Sequence, residues 1–296
     1  MRFLVTGAGG FIGSRLCRHL SALGHQVVGT TQAADPESLP FPATRVDLLD
    51  MPAVARAIEA AAPDAIVHLA GLSHVRSSWE QIGDYFRVNV LGTRHVLAAA
   101  GENRVVLASS GEVYGLVPEE EQPITESAPV DPRNPYAMSK AAAELLALDR
   151  GAVVVRSFNL IGPGQSATFA LASFARQLAA ISRGEVEPVL HVGNLDNRRD
   201  FLHVDDSLEA FRLLAAEGVA GECYNLASGE AHSVSELLDL LVAVSGVEAR
   251  VEVDPDRCRP IDVPLTSGDA GKLRALGWAP RLTIEDALRD LWRSVV

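Results

Sequence analysis

The sequence predicts an α/β protein built on a doubly wound parallel sheet with helices on both faces. Short apolar runs alternate with amphipathic segments up to about residue 160, and a glycine cluster follows the first run. Strands of four to six mostly apolar residues separated by helices are typical of a parallel sheet that is buried on both faces. The predicted strands are Arg2–Thr6, His25–Gly29, Ala43–Val46, Asp64–Leu69, Arg104–Ser109 and Ala152–Ser157, and the helices between them are Phe11–Leu23, Met51–Ala62, Tyr85–Ala100 and Tyr136–Asp149.

The rhythm changes in the second half of the chain. Helices are predicted over Phe169–Arg183, Ser233–Ser245 and Ile284–Trp292, with proline-containing loops among the shorter strands. We therefore expect a sheet domain over residues 1–165, to which a segment near 196–226 returns. Residues 166–296 are expected to form a smaller C-terminal α/β lobe.

Composition excludes several classes of protein. Of the 296 residues 48% are hydrophobic, which is enough for a sizeable core, and the net charge of −12 repels phosphate polymers. We expect no nucleic-acid or membrane partner. Three scattered cysteines are too few for a disulfide framework or a metal cluster, so we expect reduced thiols, no metal and a cytoplasmic protein. No signal peptide or membrane-spanning segment is predicted.

The glycine cluster between the first strand and the first helix predicts a dinucleotide site. Gly7 permits the tight turn, Gly10 lets the backbone approach a pyrophosphate, and Gly13 lets helix and strand pack closely. Phe11 and Ile12 open the helix, whose N-terminus offers N–H donors to phosphates. A glycine pattern in this βαβ setting is typical of a Rossmann-type domain.

The residues at the end of the second strand favour NADP(H) as the cofactor, and NAD(H) stays possible. An acid that would hold the adenosine ribose hydroxyls is missing until Asp35. Thr30 and Thr31 could instead bind a 2′-phosphate, with Arg15 approaching from the first helix. After the third strand, Asp47 and Leu48 are candidates for the adenine edge.

A YxxxK pattern supplies candidate catalytic residues. Tyr136 and Lys140 are one helical turn apart and share a face, and we expect the ammonium to lower the pKa of the phenol. Such a tyrosine can exchange a proton with the oxygen of a carbonyl/alcohol pair while hydride moves to or from a nicotinamide. Ser110, at the end of the fifth strand, could hydrogen-bond the same oxygen.

The whole chain resembles the extended short-chain dehydrogenases/reductases, the nucleotide-sugar epimerase, dehydratase and reductase group. It carries TGAGGFIG, HLAG, ASSGEVYG, YAMSK and RDFLHVDD in the order seen in that family. The resemblance implies a catalytic triad of Ser110, Tyr136 and Lys140, with Asn89 supporting the lysine. It also implies that the cofactor lies beside Leu69, Ala70, Gly71, Asn89 and Ser109.

The same resemblance implies a nucleotide-sugar substrate held by the C-terminal lobe. Asn159 matches a residue near the diphosphate, Arg199 and Arg259 match arginines that clamp it, and Asp262 matches a ligand of the nucleoside ribose. The runs EPVLHVGNLDNRRDFLHVDD and VDPDRCRPIDVPLTSGDAGKLRALGW are most similar to GDP-4-keto-6-deoxy-mannose reductases. The implied substrate is a GDP-linked 4-keto-6-deoxy sugar, reduced at C4.

Glu112 keeps other activities open. A 4,6-dehydratase needs a carboxylate beside the catalytic hydroxyl, and Glu112 is at that position, whereas Gly111 stands where dehydratases carry an acid or a hydroxyl. In a reductase Glu112 could bind a substrate hydroxyl. A nucleotide-sugar 4-epimerase is a further alternative, and a dinucleotide-sensing scaffold subunit is the alternative that is not an enzyme.

Two helices carry more apolar residues than one buried stripe needs. They are Tyr85–Ala100 and Tyr136–Asp149, and the residues in question are Val96, Leu97, Ala141, Ala142 and Leu145. In the family that the chain resembles, such helices form an intersubunit four-helix bundle. We therefore expect a homodimer.

Overall fold

The protein is built on a parallel sheet of seven strands. The computed structural model describes residues 1–257 and 263–296, and within them the strands of this sheet are β1 (Arg2–Thr6), β2 (Gln26–Thr31), β3 (Ala43–Arg45), β4 (Ala65–His68), β5 (Arg104–Ser110), β6 (Val153–Ser157) and β10 (Cys223–Leu226). They pair in the order β3-β2-β1-β4-β5-β6-β10, and every neighbouring pair is parallel. This is the doubly wound Rossmann-type order, in which ligands bind where the winding reverses, here between β1 and β4.

Helices cover both faces of the sheet. The first face is covered by α1 (Phe11–Ala22) and α8 (Val204–Glu217), which contribute Leu16, Leu20 and Phe211 to the core. The second face is covered by α2 (Met51–Ala61), α5 (Thr93–Ala100) and α6 (Pro135–Asp149). Two short helices, α3 (Val75–Glu80) and α4 (Ile82–Tyr85), precede α5. The predicted fold class is confirmed, because buried apolar strands alternate with helices as the sequence pattern indicated.

The single helix predicted over Tyr85–Ala100 is interrupted. Between α4 and α5 the chain forms a π-helix over Phe86–Gly92. The hydroxyl of Thr93 donates to the Asn89 carbonyl at 2.5 Å, and the Asn89 side chain bonds the backbone of Leu72. A hydroxyl that bonds the carbonyl four residues earlier often bends a helix, and π segments are frequent at functional sites.

The second half of the chain forms smaller sheets beside the large one. A four-stranded sheet contains β7 (Asn159–Ile161), β9 (Arg198–His203), β11 (Ala231–Ser233) and β13 (Leu265–Thr266), and β8 (Val189–Val192) pairs with β12 (Arg250–Val253). The helices of this half are α7 (Ala170–Ser182), α9 (Val234–Ser245), α10 (Gly271–Arg274) and α11 (Ile284–Arg293). The segment predicted to return, near 196–226, contains β9, α8 and β10, and β10 joins the large sheet beside β6. The domain boundary at residues 165 and 166 stays a prediction.

Two residues proposed for a dimer surface lie in the core instead. Val96 and Leu97 are buried against α2, because α5 packs on that helix. Leu145 is 72% exposed, and Ala141 and Ala142 are half-buried. The other large apolar side chains that are exposed on these helices are Phe86, Leu91 and Met138.

No helix within residues 1–257 and 263–296 is both long and apolar enough to cross a membrane. In the same residues no three His, Cys, Asp or Glu side chains are grouped as a metal ion would require.

Candidate active site at the carboxyl edge of the sheet

The turn between β1 and α1 has the shape that a dinucleotide needs. Gly7 has a φ of +70°, and a Cβ on Gly13 would lie 2.2 Å from the Gly7 carbonyl oxygen. Gly10 is the N-cap of α1, and no side chain hydrogen-bonds the first turn of the helix, which begins with Phe11 and Ile12. The backbone N–H groups of that turn are therefore available to phosphate oxygens, and the binding of a dinucleotide by these residues stays a prediction.

The end of β2 closes one side of this turn. Thr30 and Thr31 are buried, and the Thr31 hydroxyl accepts the Ala34 N–H at 3.2 Å. Arg15, which was expected to approach this end of the strand, has its guanidinium paired with Asp205 of α8 at 3.1 Å. The cation at this edge is Arg45, which is in register with Thr31 and donates to the Gln32 carbonyl at 2.7 Å.

Asp47 and Leu48 follow β3. The Asp47 carboxylate is exposed and accepts the Leu49 N–H at 2.9 Å. Leu48 is buried, and its side chain packs against Gly92 of the π-helix. The side chain of Leu48 is thus part of the core, whereas Asp47 can reach a ligand.

The loop after β4 borders the glycine turn. It contains Leu69, Ala70 and Gly71, and the Ala70 N–H donates to the Thr6 hydroxyl at 3.2 Å. A Cβ on Gly7 would lie 2.9 Å from the backbone of Ala70, so the two loops touch. The loop is anchored by Asn89, which accepts the Leu72 N–H at 2.8 Å and donates to the Leu72 carbonyl at 2.9 Å.

Asn89 also reaches the helix that carries the YxxxK pattern. Its amide donates to the Ser139 hydroxyl at 2.9 Å, and that hydroxyl donates to the Tyr136 carbonyl at 2.7 Å. The π-helix, the loop after β4 and the first turn of α6 are therefore held as one unit.

Ser110 and Tyr136 meet at the carboxyl end of β5. A hydrogen bond joins their hydroxyls, and the Ser110 oxygen also accepts the Glu112 N–H at 3.2 Å. The ring of Tyr85 packs edge-on against Tyr136, with 6.3 Å between the ring centroids. The Glu112 carboxylate accepts a hydrogen bond from the Asn134 amide at 2.9 Å, which places the carboxylate beside the N-terminus of α6.

The expected lowering of the tyrosine pKa is wrong for this structure. Burial raises the pKa of the Tyr136 phenol well above its usual range, the bond from Ser110 offsets part of this, and Glu112 and Tyr85 raise it further. Burial also lowers the pKa of Lys140 to about 8, while the charge of Glu144 opposes that shift. The Lys140 ammonium donates to the Ala108 carbonyl at 2.7 Å rather than to the phenol. Desolvation therefore outweighs the attraction that the spacing suggested.

Ser109 faces a different set of partners. Its hydroxyl donates to the Glu144 carboxylate, which forms a buried ion pair with Arg156 at 2.8 Å. Arg156 donates to the Tyr114 hydroxyl at 3.1 Å, and that hydroxyl donates to Asn225 at 2.7 Å. The side chain of Ser109 is thus committed to this network, and its backbone is what a cofactor could contact.

The substrate residues inferred by resemblance are spread over the second half of the chain. Asn159 begins β7, and its amide donates to the Asp200 carbonyl at 3.0 Å. Arg199 is buried on β9, and its guanidinium donates to the Arg198 carbonyl at 3.0 Å. Arg259 and Asp262 lie outside the described residues.

Phe158 links the catalytic end of β5 to this half of the chain. A Cβ on Gly111 would lie 3.2 Å from three atoms of the Phe158 ring, and a Cβ on Gly268 would lie 2.4 Å from it. The ring therefore fills the space beside Ser110 in which a side chain at position 111 would lie.

Four residues of the site escaped prediction. Arg45 and Phe158 are single residues whose position depends on pairing between distant strands. Tyr85 was placed in a helix without a role, although its position one turn before Asn89 was a usable signal. Glu144 repeats the four-residue spacing of Tyr136 and Lys140, and that spacing could have revealed it.

The glycine turn, the Ser–Tyr–Lys grouping and the strand order define an extended short-chain dehydrogenase/reductase, an enzyme class that works with a nicotinamide dinucleotide. A sequence profile described as GDP-mannose 4,6 dehydratase matches residues 4–291. The chain belongs to that family.

Individual relatives cover the chain from end to end. A GDP-6-deoxy-D-mannose reductase of Pseudomonas aeruginosa is 38% identical over 310 residues, which span 100% of this chain and 98% of that protein. The structure of RMD from Pseudomonas aeruginosa complexed with NADPH has a TM-score of 0.86 at 35% identity and covers 99% of both chains. The UDP-glucose 4-epimerase of Thermus thermophilus, in complex with NAD, has a TM-score of 0.89 at 32% identity and covers 100% of this chain and 99% of that chain.

Proposed function

We propose that the protein reduces the C4 ketone of GDP-4-keto-6-deoxy-D-mannose to give GDP-D-rhamnose, with NADPH as the preferred reductant. Support comes from the likeness to the Pseudomonas reductase over the whole chain. The direction of the reaction rests on that likeness, and the observation that carries the chemistry is that Ser110, Tyr136 and Lys140 come together at the carboxyl end of β5. The phenol is protonated at neutral pH and can supply the proton that a ketone reduction needs.

The roles of the catalytic residues follow from their contacts. Ser110 and Tyr136 direct two hydroxyls at one oxygen, and the phenol gives its proton to the C4 alkoxide. Reduced nicotinamide, when bound, supplies the hydride that C4 accepts. Lys140 is assigned to the nicotinamide ribose, because its ammonium lies beside Gly71 of the loop that borders the glycine turn, and Asn89 supports the lysine by tying that loop to α6.

The C-terminal lobe, residues 166–296, holds the nucleotide in this proposal. Arg199, with Arg259, binds the diphosphate, since a planar guanidinium matches two phosphate oxygens. Asn159, which begins β7, is assigned to the substrate near the diphosphate and Asp262 to the ribose hydroxyls, both by resemblance.

A 4,6-dehydratase is the second candidate, and Glu112 is the observation that favours it. Dehydration needs a base for the C5 proton and an acid for the departing C6 hydroxyl. Glu112 lies close enough to Tyr136 to raise the pKa of the phenol, so it could serve as the base. The adjoining position that would provide an acid is Gly111, which has no side chain and whose Cβ would lie 3.2 Å from the Phe158 ring. We therefore assign Glu112 to a substrate hydroxyl.

The deciding experiment supplies the keto sugar with NADPH and follows absorbance at the nicotinamide band together with the sugar product. A reductase consumes one equivalent of NADPH for each sugar. A dehydratase or epimerase returns its hydride within each cycle and shows no net consumption. Release of the 4-keto sugar from GDP-mannose without added reductant would overturn the assignment of Glu112, and epimerisation of another nucleotide sugar would overturn the substrate. A dinucleotide-sensing scaffold would turn over none of these sugars.

We propose that Arg45 gives the enzyme its preference for NADPH over NADH, because its cationic side chain lies beside Thr31 at the end of β2. A charge-assisted bond to the 2′-phosphate predicts that Arg45→Gln lowers kcat/KM for NADPH by about 10- to 100-fold. The value for NADH should change little. Arg18→Gln, which removes another exposed arginine from α1, is the matched control. Equal losses with both cofactors would refute the role.

We propose that the protein is a homodimer that pairs through α6 and the π-helix. Met138 and Leu145 of α6 and Phe86 and Leu91 of the π-helix form an exposed apolar surface there. Leu145→Glu should convert a dimer into a monomer of about half the sedimenting mass, whereas Val186→Glu on the other lobe should not. A single monomer mass for the parent protein at micromolar concentrations would reject the dimer.

The free thiols of Cys17 and Cys223 support a cytoplasmic location.

A further inference from the structure

Three residues of α6 contact three successive residues of β5. At four-residue spacing, the Tyr136 phenol bonds Ser110, the Lys140 ammonium bonds the Ala108 carbonyl, and the Glu144 carboxylate accepts from the Ser109 hydroxyl. The proposed reaction uses Tyr136 and Lys140, the helix residues of the first two contacts. The third has no role in the proposed chemistry, although it lies one turn from the lysine.

Glu144 is held more firmly than a helical surface residue. Its side chain is 3% exposed and that of Arg156 is 6% exposed. Arg156 binds both carboxylate oxygens, with Nε at 3.1 and 3.2 Å and Nη2 at 2.8 Å. A buried ion pair is weak evidence for a stabilising role, because desolvation of both charges opposes their attraction. Its place beside the catalytic lysine calls for another explanation.

The charges around Lys140 come from four elements. His68 on β4 is buried. Its burial, and to a smaller extent the charge of Lys140, lowers the pKa of the His68 imidazole to about 3, so the imidazole is neutral at neutral pH. Tyr136 is a neutral phenol on the same helix, and Glu112, after β5, faces that phenol. Arg156 on β6 lies behind Glu144. The described residue whose charge supports the Lys140 ammonium is therefore Glu144.

We propose that Glu144, fixed by Arg156, is a positioning residue that supplies the counter-charge of the buried Lys140 ammonium and holds α6 in register with β5. It touches neither substrate nor cofactor and acts through Lys140 and Ser109. This inference rests on the proposed function only in that Lys140 is taken to bind the nicotinamide ribose. The contacts of Glu144 do not depend on which sugar is the substrate.

The chain offers a direct readout, since Lys140 and Lys272 are its two lysines. Protein labelled with ¹³C at lysine Cε gives two signals, and Lys272→Arg assigns them. In the parent protein the Lys140 signal should titrate near pH 8. Glu144→Gln should move that midpoint down by about 1 unit, since loss of a nearby opposite charge disfavours the ammonium. The pH above which NADPH binding weakens should move down by the same amount.

Glu126→Gln is the matched control. Glu126 is at the far end of the same network, where its carboxylate accepts the Asn225 N–H at 2.8 Å, and its loss should leave the Lys140 midpoint in place. Glu144→Asp keeps the charge and should restore most of the shift. If Glu144→Gln fails to fold because it strands the guanidinium, Glu144→Gln/Arg156→Met removes both charges together and should also lower the midpoint.

An unchanged Lys140 midpoint in Glu144→Gln, with only a loss of stability, would overturn the proposal and leave the ion pair a structural link between α6 and β6. An equal shift in Glu126→Gln would overturn it as well. The titration is measured without any sugar, so a protein that fails to reduce the proposed ketone would refute the function and leave this test intact.

Discussion

Removing the Tyr136 hydroxyl tests the proton donor on which the proposed reduction depends. Tyr136→Phe keeps the ring, its 7% exposure and its edge-on packing with Tyr85 at 6.3 Å. It removes one hydrogen bond, to Ser110, and the proton destined for the C4 alkoxide. The backbone of α6 and the contacts of Lys140 do not involve that hydroxyl.

Two magnitudes follow and they differ greatly. Loss of the bond to Ser110 costs about 1 kcal/mol of the free energy of unfolding. Loss of general acid catalysis costs a factor of about 10²–10⁴ in kcat, or roughly 3–5 kcal/mol of activation free energy. Because the ring is kept, the dissociation constant for NADPH, measured by its fluorescence, should change by less than about threefold.

The assay compares Tyr136→Phe with Tyr224→Phe. Tyr224 is 1% exposed on β10, and its hydroxyl accepts the Val219 N–H at 3.0 Å, so its loss also removes one hydrogen bond. Both variants should lose similar stability, and Tyr136→Phe alone should lose turnover. A Tyr136→Phe enzyme with kcat close to the parent value would refute the assignment of the proton donor.

Three further outcomes are expected. Lys140→Met should lower kcat and raise the KM for NADPH. In the parent enzyme, kcat/KM should fall as the pH rises through about 8, because the lysine loses its proton there. A pH profile that stays flat up to pH 10 would contradict this role of the lysine. Ala62→Gly should raise the free energy of unfolding by about 0.5–1 kcal/mol in denaturant titrations. Ala62 caps the end of α2 at a φ of +39°, a backbone conformation that strains alanine and suits glycine. An unchanged free energy of unfolding would show that this strain is relieved elsewhere. Gly13→Ala should lower the free energy of unfolding by about 1–3 kcal/mol, because the new Cβ would lie 2.2 Å from the Gly7 carbonyl oxygen. It should also abolish the binding of NADPH, which is measured by fluorescence. Retained binding would show that the turn can shift.

Local patterns in the sequence were enough to predict the sheet and the glycine turn. Residues 2–13 form β1, the turn and the start of α1 within one short stretch, so strand, glycines and helix are all visible together. The pair Tyr136 and Lys140 was predictable for the same reason, because one helix carries both. Ser110 could be added because parallel strands end at one edge of a sheet.

What could not be predicted depends on contacts between distant parts of the chain. Arg15 was expected to approach a 2′-phosphate, but Asp205, from the far half of the sequence, pairs with it. Val96 and Leu97 have the apolar character of an interface, and only the packing of α5 on α2 shows that they are buried. Asn89 lies in the π-helix at Phe86–Gly92 and bonds the loop after β4, a long-range contact that no helical periodicity reveals.

The pKa of Tyr136 shows why charge spacing alone misled. A lysine one turn away was expected to lower the pKa of the phenol, on the assumption that both groups keep their aqueous character. The side chains are 7% and 8% exposed, and at that burial the loss of water opposes every charged form, phenolate and ammonium alike. The same desolvation gives the phenol a raised pKa and the lysine a lowered one, so the site holds a neutral acid beside an ammonium that needs a counter-charge. A neutral phenol can protonate the alkoxide that forms when a ketone is reduced, and as a phenolate the same residue would accept that proton in the reverse reaction. The burial that overturned the expectation about Tyr136 therefore accounts for a protonated donor, whereas the direction of the reaction is proposed from the likeness to a reductase over the whole chain.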